Sequence, residues 1–236
     1  GTGMVGLLAV QLLIANGCKV LAIDFNKDRL KVAESFGAKT CNPSKGEDPV
    51  SFGMNFSNGT GLDGVIICAS SDNNEIISQA ANMCRKRGRV ILTGVTGLSL
   101  KREDFYEKEI SFQVSCSYGP GRYDSSYEIK GNDYPIGFVR WTEQRNFEAI
   151  LDLIEANRVE IKDLISHTFG FLDVQAAYEK LDDPSALGLI LEYDHIKESE
   201  SKNIKLNLKK SSKILDSDIN VGFIGSGNYA SRVLIP

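Results

Sequence analysis

Glycines at positions 1, 3 and 6, with an aspartate at position 24, are the residues whose types and spacing point most directly to chemistry. In Gly1-Thr2-Gly3-Met4-Val5-Gly6 the glycines permit a tight turn, and their missing side chains let backbone N–H groups come close to a pyrophosphate. A helix that starts inside the motif adds the partial positive charge of its N-terminus. Asp24 falls where a second strand should end. A carboxylate there accepts hydrogen bonds from both ribose hydroxyls of NAD and repels the 2′-phosphate of NADP, which makes NADP the less favoured cofactor. Plainer roles stand beside this one: Gly3 and Gly6 as turn and packing glycines, Asp24 as a helix cap. Methyltransferases also place a glycine loop before a helix and an acid after the second strand, so S-adenosylmethionine is the rival ligand.

These residues need elements to hold them. Val5, Leu8, Ala9, Leu12 and Leu13 recur at helical spacing over residues 3–16, with Gly17 to end the helix. Lys19–Ile23 has the run of a short buried strand, and Asn26 can cap a second helix that Gly37 stops near Phe36. Gly64–Ala69, Arg89–Thr93 and Ser111–Cys116 are further strands, with a helix from Asn74 to Lys86 and a break at Gly88. Strands alternating with helices predict an α/β fold, a Rossmann-type doubly wound parallel sheet with its glycine turns at the carboxyl ends of the strands. A stretch rich in Tyr, Gly and Pro occupies 118–137. A helix over 142–157, a strand at 166–169, a helix capped by Asp173 that ends near Leu181 and a closing strand at 188–193 complete the first domain.

Residues 194–218 are polar and lysine-rich, as an exposed linker would be. Ile219–Ile224 then starts a strand leading into Gly225, Gly227 and Ala230, the opening of a second Rossmann domain over 219–236. The chain opens within one glycine motif and stops within another. The first sheet is therefore expected to lack its first strand, and the chain alone is expected to be inactive. The 219–224 segment is a candidate to be drawn into that place.

A formal net charge of −4 with no dominant basic patch argues against nucleic acid, and no apolar run is long enough for a membrane span. The five cysteines lack metal or disulfide spacing. Cys18, Cys68 and Cys116 lie in or beside apolar runs, which suits small buried hydrophobes in a reducing compartment, the cytoplasm. His167 is expected to be structural and His195 solvated, and no metal site is assigned.

The motif from Gly1 through the helix to Ala15, with Ile23-Asp24-Phe25-Asn26-Lys27-Asp28-Arg29, resembles the medium-chain dehydrogenase/reductase family, the zinc alcohol dehydrogenase superfamily. The likeness runs on through Gly37-Ala38, Gly88–Leu92, His167-Thr168-Phe169, Ala176-Ala177-Tyr178 and Gly188–Leu191. It implies NAD as cofactor, Asp24 on the adenosine ribose with Arg29 beside it, Cys68 and Ala69 near adenine and ribose, and Thr93 and Gly94 near the nicotinamide. It also implies that zinc ligands belong mostly to a domain N-terminal to these residues. Ordinary strand-end packing is the plainer role for the last four residues.

Tyr118–Asp124, Tyr134–Gly137 and Arg140–Glu143, together with Asn220–Ala230, resemble a subgroup in which such a half is joined to one of the glucose–fructose oxidoreductase (Gfo/Idh/MocA) type. That resemblance implies hydride transfer on a small alcohol or carbonyl compound, including a sugar or sugar derivative. The tyrosine-rich loop follows the sixth strand and can close over nicotinamide or substrate, since phenol groups offer apolar faces with polar tips, and the guanidinium groups of Arg122 and Arg140 can hold a phosphate or carboxylate. Surface contacts are the plainer fate of all these side chains. Association into a homo-oligomer is left open, and a nucleotide-sensing module without catalysis is the alternative function.

Overall fold

The computed structural model describes residues 1–193 and, further on, 222, 224–225 and 227–235. The chain divides into two compact units, Gly1–Asp194 and His195–Pro236.

The first unit begins with α1 (Met4–Ala15), β1 (Leu21–Ile23), α2 (Lys27–Ser35), β2 (Lys39–Cys41), α3 (Pro49–Phe56), β3 (Leu62–Ile67) and β4 (Ser70–Ser71). It continues with α4 (Glu75–Met83), β5 (Cys84–Leu92), β6 (Val95–Thr96), α5 (Arg102–Tyr106) and β7 (Ser111–Val114). Then come α6 (Ser125–Glu128), α7 (Glu143–Glu155), β8 (Ile165–Gly170), α8 (Val174–Glu179) and β9 (Gly188–Glu192).

Local chemistry explains most boundaries. Gly17 and Gly37 close α1 and α2 at φ +81° and +96°, a conformation glycine adopts without a Cβ penalty. The Asn26 side chain accepts from the N–H groups of Asp28 and Arg29, so α2 starts as expected.

The strands pair in parallel. β1 lies on β2, and β3, β5 and β7 form a ladder in that order. In the doubly wound order 3-2-1-4-5-6 these are positions 3-2 and 4-5-6, the Rossmann-type arrangement. The two ladders meet at Gly1. Its nitrogen donates to the Ile23 carbonyl at 2.9 Å, and a Cβ built on it would stand 2.8 Å from the Ala69 Cα. Two apolar clusters follow the same division. One joins Leu7, Val10, Ala22, Leu30, Ala33, Ala38 and Leu164; the other joins Ile67, Ile77, Ala80, Cys84, Val90 and Leu92. The segment after α7 clasps α1: Gln11 exchanges two hydrogen bonds with the Glu160 backbone, and Arg158 donates to the Ala15 carbonyl.

Several expectations are corrected. β2 and α3 are additional elements. α4 stops at Met83 rather than Lys86, and β5 starts at Cys84 rather than Arg89. The cause lies far along the chain. The Lys108 ammonium donates to the carbonyls of Ala81, Asn82 and Cys84, satisfying the helix end there. Lys108→Met is accordingly expected to lower the unfolding free energy by about 1–2 kcal/mol, checked by urea denaturation. Asp173 stands at the N-terminus of α8, but its side chain makes no capping bond. The strands expected at Gly64–Ala69 and Ser111–Cys116 end at Ile67 and Val114, which leaves Cys68 and Ala69 just beyond β3. Cys18 and Cys116 are exposed, whereas Cys41 and Cys84 are buried.

In the second unit, Gly225 has φ +79°, the Gly227 N–H donates to the Gly225 carbonyl, and Ala230–Leu234 forms a π-helical turn. The expected linker 194–218 and His195 lie outside the described residues. So does the 219–224 strand, apart from Gly222 and Ile224, and with it the idea that this strand joins the first sheet. Among the described residues no helix is long and apolar enough to cross a membrane.

Candidate functional site

The glycine loop is held in place by the carboxylate that follows β1. Asp24 Oδ2 accepts from the Thr2 N–H at 2.6 Å and Oδ1 from the Asn26 N–H at 2.8 Å. Burial by itself would raise the Asp24 carboxyl, but these N–H donors prevail and hold it below the ordinary aspartate value. A charged Asp24 thus fixes the loop and still has lone pairs to offer a ligand.

The first intrahelical bond of α1 runs from Leu7 N–H to Gly3 O at 2.9 Å, and no side chain caps the helix. The N–H groups of Met4, Val5 and Gly6 therefore have no acceptor among the described residues. Thr2 is 2% exposed, and its buried hydroxyl lies beside the Asp24 carboxylate, which it helps to hold low.

Close backbone approach explains the other small residues. A Cβ on Gly6 would overlap the Gly1 carbonyl oxygen and stand 3.6 Å from the Cys68 Cβ. A Cβ on Gly94 would overlap the Ala69 carbonyl oxygen. The N–H groups of Thr93 and Gly94 both donate to Ile67 O, and that of Val95 donates to Ala69 O. A Cβ on Gly3, by contrast, meets nothing within 4 Å.

The structure therefore brings Gly1, Thr2, Gly3, Met4, Val5, Gly6, Asp24, Cys68, Ala69, Thr93 and Gly94 to one edge, the carboxyl ends of β1, β3 and β5. Arg29 lies on the first turn of α2, at the same corner. Its guanidinium makes long hydrogen bonds to the carbonyls of Pro184 and Ala186, and no hydrogen bond or ion pair joins it to Asp24. Asn26 also reaches Pro184 O, so the turn before β9 is tied to this corner. The signal for Asn26 was present in Asp24-Phe25-Asn26, an acid two residues before a helix cap.

Burial pushes the Cys68 thiol up and those of Cys41 and Cys84 to about 11, so they remain protonated at neutral pH. His167 lies on β8, with Nδ1 2.8 Å from Ser166 Oγ and its ring stacked on Phe169, a structural setting. Arg122 pairs with Glu128, the surface contact named above as its plainer fate. In the second unit Gly225, Gly227 and Ala230 lie within the short turn already described.

Comparison with known proteins agrees with this geometry. The zinc-binding dehydrogenase family matches residues 4–129. L-Threonine 3-dehydrogenase of Bacillus subtilis is 37% identical over 181 residues, 76% of this chain and 46% of that protein. The alcohol dehydrogenase of Thermus sp. ATN1 superposes with a TM-score of 0.63 at 25% identity, over 82% of this chain and 49% of that one. A short chain alcohol dehydrogenase from Escherichia coli CFT073, solved with NADH, superposes at 0.61 and 22% identity, over 81% and 50%. The chain belongs to the zinc-binding dehydrogenase family, and it spans about half the length of the relatives it matches.

Two groups implied by this family can be tested against the residues present. A dinucleotide fits: the open N–H groups of α1 and the side-chain-free approach at Gly3 surround one loop. Among the described residues no three His, Cys, Asp or Glu side chains come together in a way that could hold a metal ion.

Proposed function

We infer that this chain is the cofactor-binding part of an oxidoreductase that moves hydride between NAD and an alcohol or carbonyl carbon. The observation that carries the reading is the Asp24 carboxylate, bonded to the glycine loop at the carboxyl end of β1. When bound, the nicotinamide supplies the hydride chemistry. The residues of the chain supply orientation. The open N–H groups of Met4, Val5 and Gly6, with the positive end of α1, receive the pyrophosphate, and Asp24 accepts from the ribose hydroxyls. The Cys68–Ala69 turn borders the adenosine side, and Thr93–Gly94 borders the nicotinamide. The substrate is a small hydroxylated compound, a sugar or sugar derivative, and the protein works in the cytoplasm. Residues 219–236 open a second dinucleotide domain of the glucose–fructose oxidoreductase type, with Gly225, Gly227 and Ala230 at its turn.

Titration of the folded chain with NADH and NADPH tests the cofactor assignment. Saturable NADH binding, tighter than NADPH binding, is the expected result. Binding of neither, with S-adenosylmethionine bound instead, would replace the dehydrogenase reading by a methyltransferase.

A further inference from the structure

The segment between β7 and α7 leaves the sheet beside the candidate site. The Ser115 N–H donates to Leu92 O, one residue before Thr93. The segment is built to hold a shape. Tyr118, Tyr127 and Tyr134 pack in series with ring centroids 6.3 and 5.8 Å apart. Tyr134 donates to Asp124 at 2.5 Å, Tyr127 accepts from the Glu143 N–H, and Asn146 reaches back to Tyr118 O. Arg145 is the clamp, donating to Asp133 Oδ2 and to the carbonyls of Tyr134 and Val139 at 2.5–2.6 Å. These bonds fix both ends of the turn Pro135–Val139, which presents Phe138 at 90% exposure.

Directly after that turn the Arg140 guanidinium lies 4.2 Å from the centroid of the Trp141 ring, and Trp141 is 49% exposed. Unlike Arg122, Arg140 makes no ion pair or hydrogen bond among the described residues. The carboxylates of Asp133 and Glu143 line a separate depression of about 290 Å³ with Tyr127 and Phe147, to which neither Arg140 nor Trp141 contributes.

We propose that Arg140 and Trp141, on the turn clamped by Arg145, form a recognition site for a sugar ring that carries a carboxylate or phosphate. An indole face covers the apolar C–H face of a pyranose, and a guanidinium binds a carboxylate or phosphate through two N–H donors. The Arg140 guanidinium lies over one face of the indole without being neutralised, and the sugar takes the opposite face. The proposal rests on the dehydrogenase reading for its meaning as substrate recognition, and it narrows the substrate to an anionic sugar. Arg145 is the positioning residue.

Trp141 is the single tryptophan of the chain, so its emission reports on the site directly. The full chain is titrated with glucose 6-phosphate, glucuronate, glucose and inorganic phosphate. A saturable change with at least one of the two anionic sugars is expected, with the midpoint at least tenfold higher for glucose and for phosphate. Arg140→Gln should raise the midpoint tenfold or more without changing the circular dichroism spectrum. Arg145→Met should raise acrylamide quenching of Trp141 and weaken sugar binding together. No saturable change with either anionic sugar, an unaltered midpoint in Arg140→Gln, or equal binding of inorganic phosphate would each overturn the proposal. NADH is titrated separately through its own nicotinamide emission. Loss of that signal with sugar binding intact counts against the cofactor reading, and the reverse counts against this one.

Discussion

Replacing Gly6 by alanine is expected to abolish nucleotide binding and to lower the melting temperature, whereas Gly3→Ala should cost binding alone. The two glycines share a motif but not a reason. At Gly6 a Cβ would overlap the Gly1 carbonyl oxygen, so backbone must move against backbone. Overpacking of that kind costs about 1–3 kcal/mol. In a domain of this size it lowers the melting temperature by about 3–10 °C. At Gly3 a Cβ meets nothing within 4 Å, and φ is −69°, so alanine is tolerated by the fold. The open space there is where a pyrophosphate must come close to backbone N–H groups, and a methyl group would stand in its way. Calorimetry and NADH titration of both variants separate the effects. A Gly3→Ala variant that binds NADH as tightly as the parent would remove the phosphate from this loop.

Asp24→Ala should weaken NADH binding by about tenfold to a hundredfold, the size of one hydrogen bond to a charged acceptor at about 1.5–3 kcal/mol. NADPH should be weakened less, because the charge that repels its extra phosphate is gone. The variant also frees the Thr2 N–H, so part of the loss comes from the loop rather than from the ribose. Asp24→Asn separates these roles: its amide oxygen can still accept from Thr2, while the negative charge is absent. The same group sets a pH dependence. Its carboxyl is held below the ordinary value in the folded chain. The stability it contributes is therefore fully present above the unfolded pKa, about 3.9, and is lost as the pH falls through the lower folded value. Acid titration of unfolding should show this loss in the parent chain and not in Asp24→Ala. An identical acid profile in the two would remove Asp24 from the linkage.

Local signals were legible in the sequence because they act over a few residues. Asn26 capping and the closing glycines 17 and 37 are of this kind. A signal of the same kind at Asp48-Pro49 went unread: the Asp48 side chain caps α3, with Pro49 in the first turn. β2 is three residues long with Lys39 exposed, too short and too polar to show a period. The end of α4 depends on Lys108, about 25 residues further along, and the direction of Arg29 depends on carbonyls at 184 and 186. Such long-range partners leave no trace in spacing. The exposure of Cys18 and Cys116 follows from their places just outside an element, which apolar neighbours in sequence did not disclose.

The division of the first unit into two ladders with two apolar clusters also bears on how cooperatively it melts. The two clusters share no buried residue, and the seam that joins the blocks is made of a few kinds of local packing: the Gly1 nitrogen on Ile23 O, Gly6 against Cys68, and Gly53 of α3 against Met83 of α4. A nucleotide that touches the Asp24 side and the Ala69–Gly94 side together would act as a weld across that seam. Without it, the calorimetric enthalpy should exceed the van't Hoff enthalpy, as expected of two weakly coupled blocks. With saturating NADH the two enthalpies should converge as the blocks melt as one.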